Sequence, residues 1–191
     1  LEARGVIYDP IADTLPAVHR VVLARVVSGA THYIEPSSDL GWTLQPGGGV
    51  PPLYRANAEG FRAEREYTPD PPAGVLRFAA FGDSFTHSDD VPYPDTWSTR
   101  LERPGLEVLN FGVSGYATTE ALLTMRQHAM SFSPDLVLLA FYAGNDVGEN
   151  SKEVTQGQGE QWRMQKPVHV FHANGELVLE TSPPQALWRR A

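Results

Sequence analysis

The stretch GVLRFAAFGDSFT, residues 74–86, decides the fold predicted for this chain. Its first nine residues form an apolar run, which is typical of a parallel strand buried on both faces. The run ends in Gly82, Asp83 and Ser84, so a hydroxyl follows directly at the end of the predicted strand. Open parallel sheets bind ligands beyond the carboxyl ends of their strands. Ser84 is therefore a candidate nucleophile, and the alternative is a turn serine that caps the next helix.

Strands and helices alternate after this stretch. The sequence predicts a helix over 93–103, a strand over 106–113, a helix over 118–132 and a third buried strand over 135–144. Parallel strands connected in this order need right-handed crossovers, which place helices on the faces of the sheet. We therefore expect an α/β fold, a three-layer α/β/α sandwich with a parallel sheet, as a core over residues 74–148.

An N-terminal extension that packs on this core is predicted for residues 1–73. Residues 14–28 carry apolar side chains at helical spacing, which indicates a short amphipathic helix. Residues 35–74 are rich in proline and glycine, which favours irregular structure or short antiparallel strands.

The last segment, residues 149–191, is predicted to contain a polar loop followed by a β-hairpin. The hairpin is expected over 168–180, where two runs of alternating polarity meet at Asn174 and Gly175. An Asn-Gly pair between such runs is typical of a tight hairpin turn.

Composition excludes several classes of function. The chain has 191 residues, a net charge of -8 and only two lysines, so it lacks the clustered cations that nucleic-acid binding needs. It has no cysteine, which excludes disulfides and thiolate nucleophiles. No membrane span is predicted, although a targeting or anchor segment could precede Leu1. Asp89 and Asp90 lack partners at metal-ligand spacing, so we expect no metal and no organic cofactor.

Three predicted strands deliver polar groups to the same edge of the sheet. Ser84 follows the first strand, Gly115 follows the second, and Asn145 follows the third. A hydroxyl can attack an acyl carbonyl, and the N–H groups of Ser84 and Gly115 with the Asn145 carboxamide can stabilise the resulting oxyanion. Glycine suits this position because its N–H can approach a substrate without a side chain in the way.

Two aspartates flank these groups in the sequence. Asp83 is expected to fix the turn before Ser84 by accepting backbone N–H bonds, rather than to act as an acid. Asp146 is expected to support the end of the third strand. An ordinary Asx turn at Asn145 and Asp146 is the alternative to a catalytic role at this position.

Three motifs resemble the first three conserved blocks of the GDSL/SGNH hydrolase family. They are FGDSFT (81–86), NFGVSGYATT (110–119) and GND (144–146), in the family's order. The resemblance implies a flavodoxin-like fold and esterase or lipase activity, with Ser84 as nucleophile and Gly115 and Asn145 in the oxyanion hole. LGWTLQPG and NAEGFR also resemble the extension of bacterial relatives that a membrane helix often tethers, which suggests an extracytoplasmic or membrane-tethered location.

One part of the family's pattern is missing. The family carries a histidine near its C-terminus, three residues after an aspartate, and no Asp-x-x-His occurs in this sequence. The first interpretation is that the chain is truncated at Ala191 and that the core sheet continues beyond it. The second is that His169 or His172 serves as a substitute base, although both are otherwise expected to be surface residues of the hairpin.

The expected function is that of a serine ester hydrolase acting through an acyl-enzyme on a small-molecule or carbohydrate ester. One alternative is an acyltransferase that passes the acyl group to a sugar hydroxyl, since it would use the same nucleophile. The other is a binding module that keeps the hydrolase shell without its chemistry, and the missing histidine favours it. The acyl chain, the alcohol and the oligomeric state stay open.

Overall fold

A computed structural model describes residues 33–151 and 166–181 of the protein, which contain short strands and helices in alternation. The strands are β1 (Ile34–Ser37), β2 (Gly41–Leu44), β3 (Gly49–Val50), β4 (Tyr54–Arg55), β5 (Leu76–Phe81), β6 (Leu106–Asn110), β7 (Leu136–Leu139), β8 (Val168–Phe171) and β9 (Leu177–Glu180). The helices are α1 (Ser84–His87), α2 (Trp97–Leu101), α3 (Thr118–Gln127) and α4 (Asp146–Glu149), with 3-10 turns at Tyr93–Asp95 and Ala129–Phe132.

A parallel three-stranded sheet in the order β6-β5-β7 confirms the mixed α/β architecture expected from the sequence. Phe78 of β5 pairs with Val108 of β6 on one side and with Leu136 of β7 on the other. Because all three strands run in the same direction, their carboxyl ends meet at one edge of the sheet. This edge receives the segments that follow Phe81, Asn110 and Leu139.

The prediction that the third strand is buried is wrong. All five residues of β6 are buried, whereas Leu136, Val137 and Leu139 of β7 are 44%, 39% and 53% exposed. β6 and β7 are both edge strands that pair only with β5 among the described residues, so the difference comes from what covers them. α2 packs against β6, whereas within the described residues β5 is the only element in extensive contact with β7. The apolar run therefore predicted the existence of the strand, which covers Leu136–Leu139 rather than residues 135–144, and predicted its burial incorrectly.

Two predicted helices are shorter than their sequence patterns. The helix expected over 93–103 is a 3-10 turn followed by α2, because Thr96 adopts an extended conformation and its side chain caps the N–H of Thr99. The helix expected over 118–132 ends at Gln127 and continues as a 3-10 turn.

The described part of the N-terminal extension consists of short antiparallel strands, as the Pro- and Gly-rich sequence predicted. β1 pairs with β2, and β3 pairs with β4. The helix predicted over 14–28 lies outside the described residues, as do residues 152–165 of the predicted polar loop.

The extension contributes to both apolar clusters of the core. The first cluster joins Phe61, Ala63 and Tyr67 to residues of the sheet such as Phe81 and Phe111. The second joins buried residues of the extension to the segment after β6 and to α3; its members are Tyr33, Leu40, Trp42, Leu44, Val50, Ala56, Val113, Tyr116 and Leu123. The extension therefore packs against the strand ends as well as against the sheet.

The C-terminal hairpin predicted over 168–180 is confirmed. β8 and β9 pair in antiparallel register, with Phe171 opposite Leu177. Gly175 has a φ of 82°, which a glycine adopts in a tight turn without steric cost.

A buried ion pair lies near the amino end of the sheet. The Arg77 guanidinium is fully buried and its Nη2 lies 2.6 Å from Oε1 of Glu107, which faces it on β6. The same guanidinium donates hydrogen bonds to backbone carbonyls. The backbone N–H of Arg77 donates to Oδ2 of Asp135 at 2.8 Å. Buried charges are tolerated where they are paired in this way.

Helix length bears on the expectation about membranes. Within residues 33–151 and 166–181, no helix is long and apolar enough to cross a bilayer.

Candidate active site

The end of β5 approaches α1 so closely that only glycine fits between them. A Cβ on Gly82 would lie 2.3 Å from Oγ1 of Thr86 and 2.9 Å from the carbonyl oxygen of Ala140. Gly112, in the segment after β6, is similarly constrained, since its Cβ would lie 2.5 Å from the backbone nitrogen of His87. The two glycines let the strand ends pack directly against the helix that begins at Ser84.

Asp83 caps α1 and links the ends of two strands. Its side chain is 1% exposed, and its Oδ1 accepts the backbone N–H of Phe85 at 2.9 Å. This is the turn-fixing role that the sequence predicted for Asp83. Its Oδ2 accepts a second hydrogen bond from Nδ2 of Asn145, also at 2.9 Å. A single carboxylate therefore joins the segment after β5 to the segment after β7.

Ser84 is the first residue of α1 and is half-buried. Within the described part of the chain, neither its hydroxyl nor its backbone N–H makes a hydrogen bond, whereas its carbonyl accepts the N–H groups of Ser88 and Asp89. Ser84 is thus held through its carbonyl, while its hydroxyl and its backbone N–H make no hydrogen bond to the described residues.

Gly115 lies in a type II turn after β6. The N–H of Tyr116 donates to the carbonyl of Val113 at 3.0 Å, and Gly115 has a φ of 80° at the third position of the turn. Type II turns require a positive φ at this position, which favours glycine. The Gly115 N–H makes no hydrogen bond to any residue in the described ranges. It is therefore a second available donor.

The Asn145 carboxamide is held between two carboxylates. Its Nδ2 donates to Asp83 at 2.9 Å and to Oε1 of Glu149 at 3.3 Å, while its Oδ1 is buried without a partner among the described residues. The reverse orientation of the amide would place Oδ1 against both carboxylates. Because both N–H groups of the amide are engaged, a substrate oxyanion would replace the longer bond to Glu149.

Asp146 fixes the loop that presents Asn145. It is 2% exposed, and its Oδ2 accepts the backbone N–H of Tyr142 at 2.5 Å. Burial, with a contribution from the carboxylate of Asp83, raises the pKa of Asp146. Burial also raises the pKa of Glu149, although the charge of Lys166 opposes this effect.

Lys166 is a member of the site that sequence reasoning missed. Its side chain is 3% exposed, and its Nζ donates to the carbonyl of Gly115 at 3.0 Å. The same Nζ lies 3.5 Å from Oε2 of Glu120 and 3.9 Å from Oε2 of Glu149. No motif surrounds Lys166, and its position after a long polar segment gives no signal of burial.

Polar contacts link the three strand ends. Asp83 contacts Asn145 directly, and Asn145 contacts Glu149. Lys166 lies between Glu149 and Gly115. Ser84 is joined to this network by its backbone connection to Asp83, and no hydrogen bond within the described ranges connects its side chain to Gly115 or Asn145.

His87 is the histidine nearest to Ser84 in the sequence, and its ring is turned away into a separate cluster. Its Nδ1 lies 2.5 Å from Oδ1 of Asp89, and its Nε2 lies 2.6 Å from the hydroxyl of Tyr33. These contacts fit a neutral ring that donates from Nδ1 and accepts at Nε2. Burial lowers the pKa of His87 and the Arg62 guanidinium adds to this effect, although the hydrogen bond to Asp89 and its charge oppose it. The ring is therefore engaged at both nitrogens and unavailable as a base for Ser84.

The hairpin histidines lie elsewhere. His169 Nδ1 lies 3.0 Å from the hydroxyl of Thr119 at the start of α3, and His172 pairs with Glu180 across the hairpin. His128 follows α3 and is exposed. Among the described residues, no histidine forms a hydrogen bond with Ser84. No hydrogen bond among the described residues therefore supports the prediction that His169 or His172 serves as a substitute base.

Exposed apolar side chains flank Ser84. Phe85 is 60% exposed and its ring centroid lies 4.6 Å from that of Tyr142, which is 48% exposed. Phe141, next to Tyr142, and Val147, in α4, are 52% and 66% exposed. A substrate at Ser84 would meet an apolar surface on this side.

Neither metal ligation nor known relatives give an independent assignment. The ranges that the structure describes contain no group of three or more His, Asp or Glu side chains that could hold a metal ion. A scan against models of protein families and a search of curated proteins find no match to this chain.

Proposed function

We propose that the protein is a serine ester hydrolase of the GDSL/SGNH type, built on a flavodoxin-like three-layer sandwich. Ser84 is the nucleophile, and the oxyanion donors are the N–H groups of Ser84 and Gly115 and the carboxamide of Asn145. Asp83 and Asp146 hold these groups in place. The substrate is a small-molecule or carbohydrate ester.

One observation carries the proposal. Two backbone N–H groups, those of Ser84 and Gly115, lack hydrogen-bond partners among the described residues and follow adjacent parallel strands. The segment after the third strand adds a carboxamide that is bonded to the residue before Ser84. The two backbone donors are already in place and need no reorganisation when charge develops, whereas the Asn145 amide would first exchange its bond to Glu149.

The reaction would proceed in two steps. The Ser84 oxygen attacks the ester carbonyl, the alcohol leaves with a proton, and an acyl group remains on the serine. Water then attacks the acyl-enzyme, releasing the acid and restoring the hydroxyl. The oxyanion that forms in each step is stabilised by the same donors.

The general base is the part of the machinery for which the described residues offer no candidate in contact with Ser84. An unassisted serine hydroxyl is a poor nucleophile near neutral pH. We therefore expect the 191-residue chain to acylate slowly. Added imidazole, which can act as an external base, should raise the rate of acylation.

The direct test is mass spectrometry after incubation with p-nitrophenyl acetate. The expected result is one acetyl group on Ser84, formed faster with imidazole and absent in Ser84→Ala. Ser131→Ala, which changes an exposed serine outside the site, should be acetylated like the wild type. An equal rate of turnover in Ser84→Ala would refute the mechanism.

A binding module without catalysis is the second candidate, and the engagement of His87 by Asp89 and Tyr33 favours it. Such a module would leave Ser84 unmodified at every imidazole concentration. An acyltransferase is distinguished from a hydrolase by product analysis, since only the former would move the acyl group to an added sugar acceptor.

A further inference from the structure

We propose that Trp42 is a positioning residue that aims the Gly115 N–H at the substrate oxyanion, an inference that rests on the proposed function. Trp42 belongs to β2 of the N-terminal extension, which no sequence motif connects to catalysis. Its indole Nε1 donates a hydrogen bond to the carbonyl of Ser114 at 3.1 Å.

The two groups that matter here belong to one peptide unit. The carbonyl of Ser114 and the N–H of Gly115 share the same planar amide. In a trans peptide they point in opposite directions, so fixing one fixes the other. A donor bound to the Ser114 carbonyl therefore sets the direction in which the Gly115 N–H points.

The turn makes this peptide easy to reverse. The Ser114–Gly115 peptide is the central peptide of the type II turn, and types I and II differ by its rotation through about 180°. Glycine accepts the dihedral angles of both turns. The backbone itself therefore does not select one direction for the Gly115 N–H, and the hydrogen bond from Trp42 does.

Trp42 is held firmly enough to serve this purpose. Its side chain is 5% exposed, and its ring centroid lies 5.9 Å from that of Tyr116. The Tyr116 hydroxyl donates to the carbonyl of Trp42 at 2.7 Å, which ties β2 to the residue directly after Gly115.

The adjoining side chain is fixed independently. The hydroxyl of Ser114 lies 2.7 Å and 2.8 Å from the two carboxylate oxygens of Asp89, in the segment that follows α1. Lys166 binds the next carbonyl, that of Gly115. The Ser114 side chain and the Gly115 carbonyl are therefore both held. The peptide between these residues could still rotate, and the hydrogen bond from Trp42 restricts that rotation.

The decisive variant is Trp42→Phe, which keeps an aromatic ring in the apolar cluster but removes the indole donor together with part of the buried ring volume. We expect acylation of Ser84 to slow by roughly tenfold to a hundredfold, less than or equal to the loss of a whole oxyanion donor. The KM for the ester should change by less than about twofold, because the donor acts mainly on the transition state.

Val50→Ala is the matched control. It removes buried apolar volume from the same cluster and leaves the donor to the Ser114 carbonyl in place. We expect a comparable loss of stability and little change in the rate of acylation. Equal slowing in both variants would show a general loss of packing and overturn the inference.

A structural readout separates the inference from the proposed function. Crystal structures of the wild type and Trp42→Phe should show the Ser114–Gly115 peptide rotated or in two orientations only in the variant. An unchanged peptide, or a rotated peptide with an unchanged acylation rate, would overturn the role of Trp42. Failure of the wild type to acylate at Ser84 would instead overturn the proposed function.

Discussion

The two ends of the same parallel sheet treat their polar groups in opposite ways. Near the amino end, the charge of Arg77 is paired with Glu107 and surrounded by backbone carbonyls. At the carboxyl end, the N–H groups of Ser84 and Gly115 lack partners among the described residues. Polar groups that hold the fold together are hydrogen-bonded inside the protein, whereas the two backbone donors of the proposed oxyanion hole stay without partners.

The carboxyl end also contains polar side chains that are hydrogen-bonded within the protein, close in the sequence to the unbonded N–H of Ser84. His87 is bonded to Tyr33 and Asp89, and Asp83 accepts two hydrogen bonds. These contacts position the helix that begins with Ser84. The comparison therefore predicts that variants at the amino end affect stability, and that variants at the carboxyl end divide into those that affect activity and those that affect stability.

The largest effect is expected at the amino end. Arg77→Met removes a buried cation and leaves the buried Glu107 without its main partner, which typically costs about 3 kcal/mol or more of unfolding free energy. Arg65, 3.6 Å from Glu107, can compensate only partly because its side chain is half exposed. Urea denaturation monitored by circular dichroism measures this loss.

Arg100→Met is the control for that experiment. Arg100 pairs with Asp95 at the surface, where its side chain is 69% exposed. Exposed ion pairs contribute about 0–1 kcal/mol. A similar loss in both variants would contradict the distinction between a buried pair that the fold needs and a surface pair that it does not.

The next effect separates activity from stability at the carboxyl end. Asn145→Ala removes one oxyanion donor, and we expect turnover to fall by about a hundredfold to a thousandfold. The unfolding free energy should fall by about 1–3 kcal/mol, since the buried carboxylate of Asp83 loses one hydrogen bond and Glu149 loses a longer one. Steady-state kinetics and urea denaturation on the same samples test this. Unchanged turnover would remove Asn145 from the proposed oxyanion hole.

Local patterns in the sequence predicted the strands and the groups at their ends. The apolar run before Gly82 and the glycine in the turn at Gly115 have strong local causes, namely burial in a sheet and a positive φ. The C-terminal hairpin followed from Asn174 and Gly175 for the same reason.

Contacts between distant segments could not be predicted in this way. Trp42 reaches Ser114 and Tyr33 reaches His87 only after folding, and neither spacing in the sequence has a periodic signature. The exposure of β7 likewise depends on what packs beside it, which an apolar run does not encode. The burial of Lys166 likewise depends on contacts with distant segments that form only in the folded protein.

The unfolding free energy should depend on pH through His87, which lies in the helix that begins with Ser84. Burial lowers the pKa of His87, so the unfolded chain takes up a proton at this position more readily than the folded one. Stability should therefore fall as the pH drops below about 6.5, the ordinary histidine value, by up to about 1.4 kcal/mol per pH unit. His87→Gln should lose this component of the pH dependence.

The control for this titration is His128→Gln, which changes an exposed histidine. Its unfolding free energy should follow that of the wild type between pH 7 and pH 5. The groups that face His87 are Tyr33, Tyr54, Arg62 and Asp89. An acid sensitivity that persists unchanged in His87→Gln would assign it to other groups.

The smallest effect concerns a single hydroxyl in the same support. Tyr33→Phe removes the hydrogen bond to Nε2 of His87 and leaves the ring in its cluster, where it stacks on Tyr54 at 5.4 Å. The loss of one buried hydrogen bond typically costs about 1 kcal/mol. Tyr142→Phe, at a ring that is 48% exposed, should cost less. Because the Tyr33 hydroxyl bonds only to His87 among the described residues, the loss should disappear when His87→Gln is already present. An undiminished loss in the double variant would show that the hydroxyl acts through other contacts.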